Sequence, residues 1–154
     1  MKKILFFLAA MISTLFALTS CDSGPDSRDL LLGTYSYTMT GNYVMHFAGQ
    51  NINVPLAAGG EMRISKDGSG SRVKITGDDD VSSKGVVDGN ILKVDPESQS
   101  ETKDGVYVLI TAEYEPAQLV NNILNIKAKL TGTITGGGQA GTIEGSQLIV
   151  ATKQ

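Results

Sequence analysis

The feature that most constrains this chain is side-chain alternation with a period of two. From Leu124 to Ile134 the residues Leu124, Ile126, Ala128, Leu130 and Ile134 share one parity, and Asn125, Lys127, Lys129, Thr131 and Thr133 share the other. Successive side chains point to opposite faces only in an extended strand, so this segment has one dry and one wet face. The pattern recurs along the chain. Tyr35, Tyr37 and Met39 alternate with Thr34, Ser36, Thr38 and Thr40, and Tyr43, Met45 and Phe47 alternate with Val44, His46 and Ala48. Met62 with Ile64, Val73 with Ile75, and the series Val106, Val108, Ile110, Ala112 and Tyr114 follow the same rule.

Turn residues punctuate these runs. Gly41-Asn42, the loop Lys66-Asp67-Gly68-Ser69-Gly70, Asp88-Gly89-Asn90 and Gly136-Gly137-Gly138 all read as reversals. In the final run, from Thr142 to Thr152, apolar parity changes between Ile143 and Leu148, which predicts a bulge at Gly145-Ser146. Residues 49–60 and 95–104 carry no clear pattern, and Pro116 to Asn122 reads as a loop or a short helix. Ser27 could cap one helical turn through Leu31. The sum is all-β, roughly eight to ten strands joined mostly by short hairpins. An antiparallel meander of about eight strands that closes into a β-barrel removes its exposed edges; a β-sandwich is the alternative.

The first twenty residues differ from the rest. Lys2 and Lys3 precede an apolar run from Ile4 to Leu18, about 15 residues, short of the roughly 18 or more expected of a membrane-spanning helix. Leu18-Thr19-Ser20-Cys21 closes the segment. These four residues resemble the bacterial lipobox. The resemblance implies a signal peptide over residues 1–20, cleavage before Cys21, and lipidation of that cysteine. It makes the membrane a partner through the N-terminal lipid anchor alone, since two or three acyl chains hold a protein durably where one does not. Residues 21–30 then form the lipidated cysteine and a flexible, polar tether, and residues 31–154 the barrel domain.

Removing Lys2 and Lys3 takes the formal charge from −3 to −5 over residues 21–154. An acidic domain without a basic patch has no nucleic-acid footprint. Cys21 is the single cysteine in the chain, so no intramolecular disulfide is available to it. The lone histidine, His46, falls on the outer parity of its strand. One histidine and no free thiol leave neither a zinc set nor a Ser-His-Asp arrangement. Asp78-Asp79-Asp80 reads as a solvated loop and Asp67–Ser71 as a hairpin, because Arg72 stands where a calcium loop needs glycine. No enzyme, no metal and no cofactor are expected.

Gly33-Thr34-Tyr35 opens the first strand. With tyrosine in place of tryptophan, it resembles the Gly-x-Trp signature of lipocalins, in which the aromatic closes the barrel bottom. Together with the lipobox and short linker it resembles the lipocalin-like (calycin) lipoproteins of Bacteroidetes. The chain departs from that family in having no tryptophan, no clear second motif and no late arginine; Lys153 is the substitute in its place. Inward parity assembles Tyr35, Tyr37, Tyr43, Met45, Phe47, Met62 and Tyr114, a set suited either to ordinary core packing or to a small hydrophobic ligand. The expectation is a non-enzymatic carrier in the cell envelope, at the outer membrane facing the periplasm, with surface exposure as the alternative. The other reading is an envelope module that binds a protein or glycan through its loops and holds no internal ligand.

Overall fold

The computed structural model describes residues 26–78 and 81–154. The signal segment, Cys21, and Asp79 with Asp80 lie outside the described residues. Ten strands follow in order: β1 (Gly33–Phe47), β2 (Gln50–Lys66), β3 (Arg72–Gly77), β4 (Ser82–Asp88), β5 (Ile91–Val94), β6 (Glu97–Lys103), β7 (Val106–Tyr114), β8 (Ala117–Val120), β9 (Ile123–Gly136) and β10 (Gln139–Lys153). Strands β10, β1, β2, β3, β4, β5, β8 and β9 pair in that order, and β9 pairs back onto β10. Eight antiparallel strands therefore close a ring, and β7 with β6 extends from the far edge of β9.

The ring is short on one side and long on the other. β2 reaches β3 only through Met62–Lys66, and β9 reaches β8 only through Ile123 and Leu124. Beyond that level the wall is a curved sheet of β2, β1, β10, β9, β7 and β6, whose outer strands β2 and β6 do not meet. The barrel is closed at one end and split at the other. Pro55 sits where β2 has β1 as its single neighbour, the edge position in which a residue without an N–H is tolerated.

Side-chain parity explains most of this. β1 runs unbroken through Gly41-Asn42, where the sequence predicts a turn. A two-residue hairpin there would put Val44 and His46 on the face of Tyr37 and Met39, whereas one strand keeps Tyr35, Tyr37, Met39, Tyr43 and Met45 together. The predicted bulge at Gly145-Ser146 is also absent, because β1 and β10 keep one register from His46↔Thr142 to Tyr35↔Lys153. Gln147 is the inward residue between Gly145 and Ile149, and Leu148 and Val150 face outward, half-buried. Glycine allows a close approach of the two strands instead. A Cβ on Gly145 would stand 2.6 Å from Tyr43 Cα, and one on Gly41 would stand 2.8 Å from Gln147 Cα.

Two segments without an evident pattern are strands. Residues 50–60 belong to β2, with Ile52, Val54 and Leu56 opposite Met45, Tyr43 and Gly41. Residues 97–103 form β6, joined to β7 by Asp104-Gly105 with φ of 51° and 77°. Ala48-Gly49, Asn121-Asn122 and Gly137-Gly138 likewise turn with two positive φ values, the conformation that tight hairpins require. Part of the Pro116–Asn122 stretch is therefore the strand β8, followed by the Asn121-Asn122 turn.

The pair β5–β6 and the pair β7–β8 make one interrupted hairpin. Ile91↔Gln118 and Leu92↔Ala117 are in register with Glu97↔Ala112 through Lys103↔Val106, and residues 93–96 and 113–116 between them are unpaired with each other. Pro96 and Pro116 lie in this gap, one on each arm. Inward parity switches on both arms there, from Leu92 and Val94 to Glu97 and Gln99, and from Ala112 and Tyr114 to Ala117 and Leu119.

The closed end is packed. Leu31, Tyr35, Met62, Ile64, Val73, Val87, Leu92, Leu124 and Ala151 belong to one buried cluster, each large aliphatic contributing on the order of 1.5–3 kcal/mol. The entry segment plugs this end. Asp26, rather than Ser27, caps its turn, accepting the Arg28 N–H at 3.0 Å. The buried Arg28 guanidinium binds Asp26 at 2.7 Å and donates to the carbonyls of Gly68 and Arg72. Lys66 Nζ meets Asp26 at 2.8 Å. Arg28 first, then Lys66, holds the Asp26 carboxyl well below the usual carboxylate range. A depressed value means that its contribution is complete above the ordinary carboxylate range and is lost as the solution is acidified. Asp26→Asn is expected to lower the melting temperature by several degrees at pH 7. That difference shrinks steadily below about pH 4, as thermal scans of both proteins would show.

Candidate functional site

The split end of the barrel encloses a cleft of about 750 Å³. Its floor is built from inward positions of five strands. β7 supplies Val106, Val108, Ile110, Ala112 and Tyr114, β9 supplies Leu130 and Ile134, and β1 and β2 supply Tyr43, Met45 and Leu56. β10 contributes Gln147. The side wall is β6, with Glu97, Gln99, Ser100, Glu101 and Lys103. An apolar concavity with few polar groups on one side is the usual form of a small-molecule site.

Strand register places these side chains. Leu130 and Ile134 lie directly opposite Ala112 and Val108, so β7 and β9 build a continuous aliphatic surface. Gly132 stands between them because a Cβ there would collide with the backbone of Leu109 and come within 3.1 Å of Ile110 Cα. The absent side chain leaves room above the floor. Tyr114 lies at the foot of the cleft, where the split sheet meets the packed ring. Burial, with the nearby Glu97 charge second, pushes its hydroxyl pKa up, so the group stays neutral.

The inward set expected from the sequence divides. Tyr43, Met45 and Tyr114 line the cleft. Tyr35 and Met62 belong to the packed closed end, and Tyr37 packs against it. Phe47 lies half-buried at the far end of β1, beside the first turn. Tyr35 sits in the packed, closed end of the barrel. It is fully buried, and its hydroxyl donates to Leu31 O at 2.8 Å. Lys153 is its register partner on β10 and donates to Leu30 O at 2.8 Å, passing the space a side chain on Gly33 would need.

The polar wall was not legible in the sequence. Residues 97–103 include no apolar side chain, so alternation gives no signal there, although Asp104-Gly105 marks the hairpin. Val106, Val108 and Ile110 are readable as one strand face, but their role as a floor depends on β6 flanking them. Elsewhere, His46 lies on the outer rim, with Nδ1 2.7 Å from Asn51 and Nε2 4.0 Å from Glu144. Asp78 accepts the Glu61 N–H at 2.9 Å. Among the described residues no group of three His, Cys, Asp or Glu side chains is placed to hold a metal, and no helix is long and apolar enough to cross a membrane.

Fold and site together define a small antiparallel barrel with one packed end and one open, apolar cleft, consistent with lipocalin-like architecture. Comparison with protein-family models, with curated proteins and with solved structures finds no match to the chain.

Proposed function

We propose that the chain is a non-enzymatic carrier of a small hydrophobic or amphipathic molecule, held at the cell envelope by a lipid on Cys21. The observation that carries this reading is the cleft. At about 750 Å³ it lies within the range of roughly 300–1,000 Å³ typical of ligand sites, and its floor is aliphatic and aromatic. A filled interior would favour an envelope module that binds only through its surface, whereas an open apolar cleft favours carriage. Lipobox, short tether and an opening Gly33-Thr34-Tyr35 strand support a lipocalin-like lipoprotein of the kind found in Bacteroidetes, at the outer membrane and facing the periplasm.

A neutral fluorophore, N-phenyl-1-naphthylamine, tests the reading. Its emission is expected to rise saturably at one site per chain. Ala112→Trp fills the floor beside Leu130 and is expected to weaken binding at least tenfold, about 1.4 kcal/mol. Circular dichroism should show the strand content of that variant unchanged. Absence of saturable binding by the unaltered protein would sink the carrier reading.

A further inference from the structure

We infer that the cleft selects an amphiphile with a cationic head, its tail lying on the β7–β9 floor and its head against β6. The inference rests on the carrier reading and adds the chemistry of the ligand.

β6 is inverted. A strand with one face to solvent ordinarily turns its charges outward and its neutral residues inward. Here Glu97, Glu101 and Lys103 line the cleft on the inward parity, together with Gln99; Ser100 of the other parity also reaches it, while Ser98 and Thr102 take the other face. Opposite them stand the aliphatic side chains of the floor. Glu101 and Lys103 stay exposed at the mouth, while Glu97 is half-buried beside the apolar floor, where a carboxylate without a partner is least favoured.

These charges are also uncommitted. The ion pairs among the described residues join Arg28 and Lys66 to acids of the entry segment, Arg72 to Asp95, Lys84 to Asp67 and Lys93 to Asp88, and Glu144 has His46 at 4.0 Å. None of them engages Glu97, Glu101 or Lys103. Ser98 on the outer face instead bonds Thr111 at 2.8 Å, holding β6 to β7 from behind.

Two carboxylates against one ammonium give the wall a negative balance. Lys103 sits at the rim, beside the Asp104-Gly105 turn, and Glu97 lies half-buried at the foot, next to Tyr114. The inner part of the wall therefore offers a carboxylate and a neutral hydroxyl, which together accept hydrogen bonds from an ammonium head. A carboxylate or phosphate head would meet Glu97 and Glu101 at close range with a low-dielectric floor behind it, and be repelled.

The test uses the full chain with N-phenyl-1-naphthylamine bound, displaced in turn by decylamine, decanol and decanoate at pH 7 and low salt. Decylamine is expected to displace the fluorophore at about one tenth of the decanoate concentration, with decanol between them. The paired substitution Glu97→Gln with Glu101→Gln is expected to bring the amine-to-carboxylate ratio to about one, each ratio being taken against that variant's own fluorophore affinity. Glu113→Gln with Glu144→Gln removes the same charge from the outer face and is expected to keep the preference. Equal displacement by all three ligands, or a preference for decanoate, overturns the cationic selection while leaving carriage intact. Equal loss of preference in both paired variants also overturns it, since net charge alone would then be the cause. A protein that binds no fluorophore loses carriage and selection together.

Discussion

Truncating Tyr35 to alanine is expected to cost about 4 kcal/mol, within the range of roughly 3–5 kcal/mol for removing a buried aromatic ring. The ring is 0% exposed, lies directly across from Met62 on β2, and joins the core cluster that fills the closed end. Its hydroxyl also fastens the entry turn to the first strand through Leu31 O. The two contributions separate by substitution. Tyr35→Phe keeps the packing and orphans one carbonyl, and is expected to cost only about 1 kcal/mol. Urea midpoints, with the slope checked for constancy, give both values. Burial pushes the Tyr35 pKa up to about 12. A raised value in the native state means that the unfolded chain loses this proton first as the solution becomes alkaline, so stability falls between about pH 10 and pH 12. The upper bound on that loss is about 2.7 kcal/mol. Tyr35→Phe lacks this group, so the gap between the two proteins is expected to narrow over the same interval.

Placing one methyl group on Gly145 is expected to destabilise the protein by about 3 kcal/mol, because overpacking that moves backbone lies at the upper end of its usual range. The added carbon would lie 2.6 Å from Tyr43 Cα and closer still to Asn42 O, and neither is the tip of a flexible side chain. β1 and β10 would have to separate where Gly145 faces Tyr43, two residues along from the Gly41–Gln147 pair. Thermal unfolding should show a loss of roughly 10 °C. Gly68→Ala is the comparison. Gly68 has φ of 69° but open space around it, so the strain alone is expected to cost about 1 kcal/mol. A Gly145→Ala protein as stable as the parent would show that the two strands do not approach so closely.

The strand faces were largely readable, and the reason is local. Alternation in β1, β3, β7 and β9 records burial on one side of each strand, and burial is what selects those residues. The misreadings came where glycine does a second job. Gly41-Asn42 looks like a turn and Gly145-Ser146 like a bulge. Both glycines instead admit a neighbouring strand, a fact about distance between segments a hundred residues apart. β6 was illegible for a different reason: its inward face meets a cavity rather than a core, so no apolar residue marks it. The same loss of contrast hid the candidate site. Three of the seven expected lining residues, Tyr43, Met45 and Tyr114, are in the cleft. Tyr35 and Met62 share their parity with the lining residues but lie below the level at which the ring closes. Parity tells inside from outside, and height along the barrel is set by where β3, β4, β5 and β8 stop.

Where the hairpin is interrupted at Pro96 and Pro116, two regimes of motion meet. The ring below has a neighbour on each side of every strand, so freeing any one of its strands means breaking two ladders. β6 above has one neighbour, β7, and β7 is fastened to the rest by its ladder with β9. The acidic side of the mouth is thus free to breathe by local fluctuation at little energetic cost, while the ring that supports it stays shut.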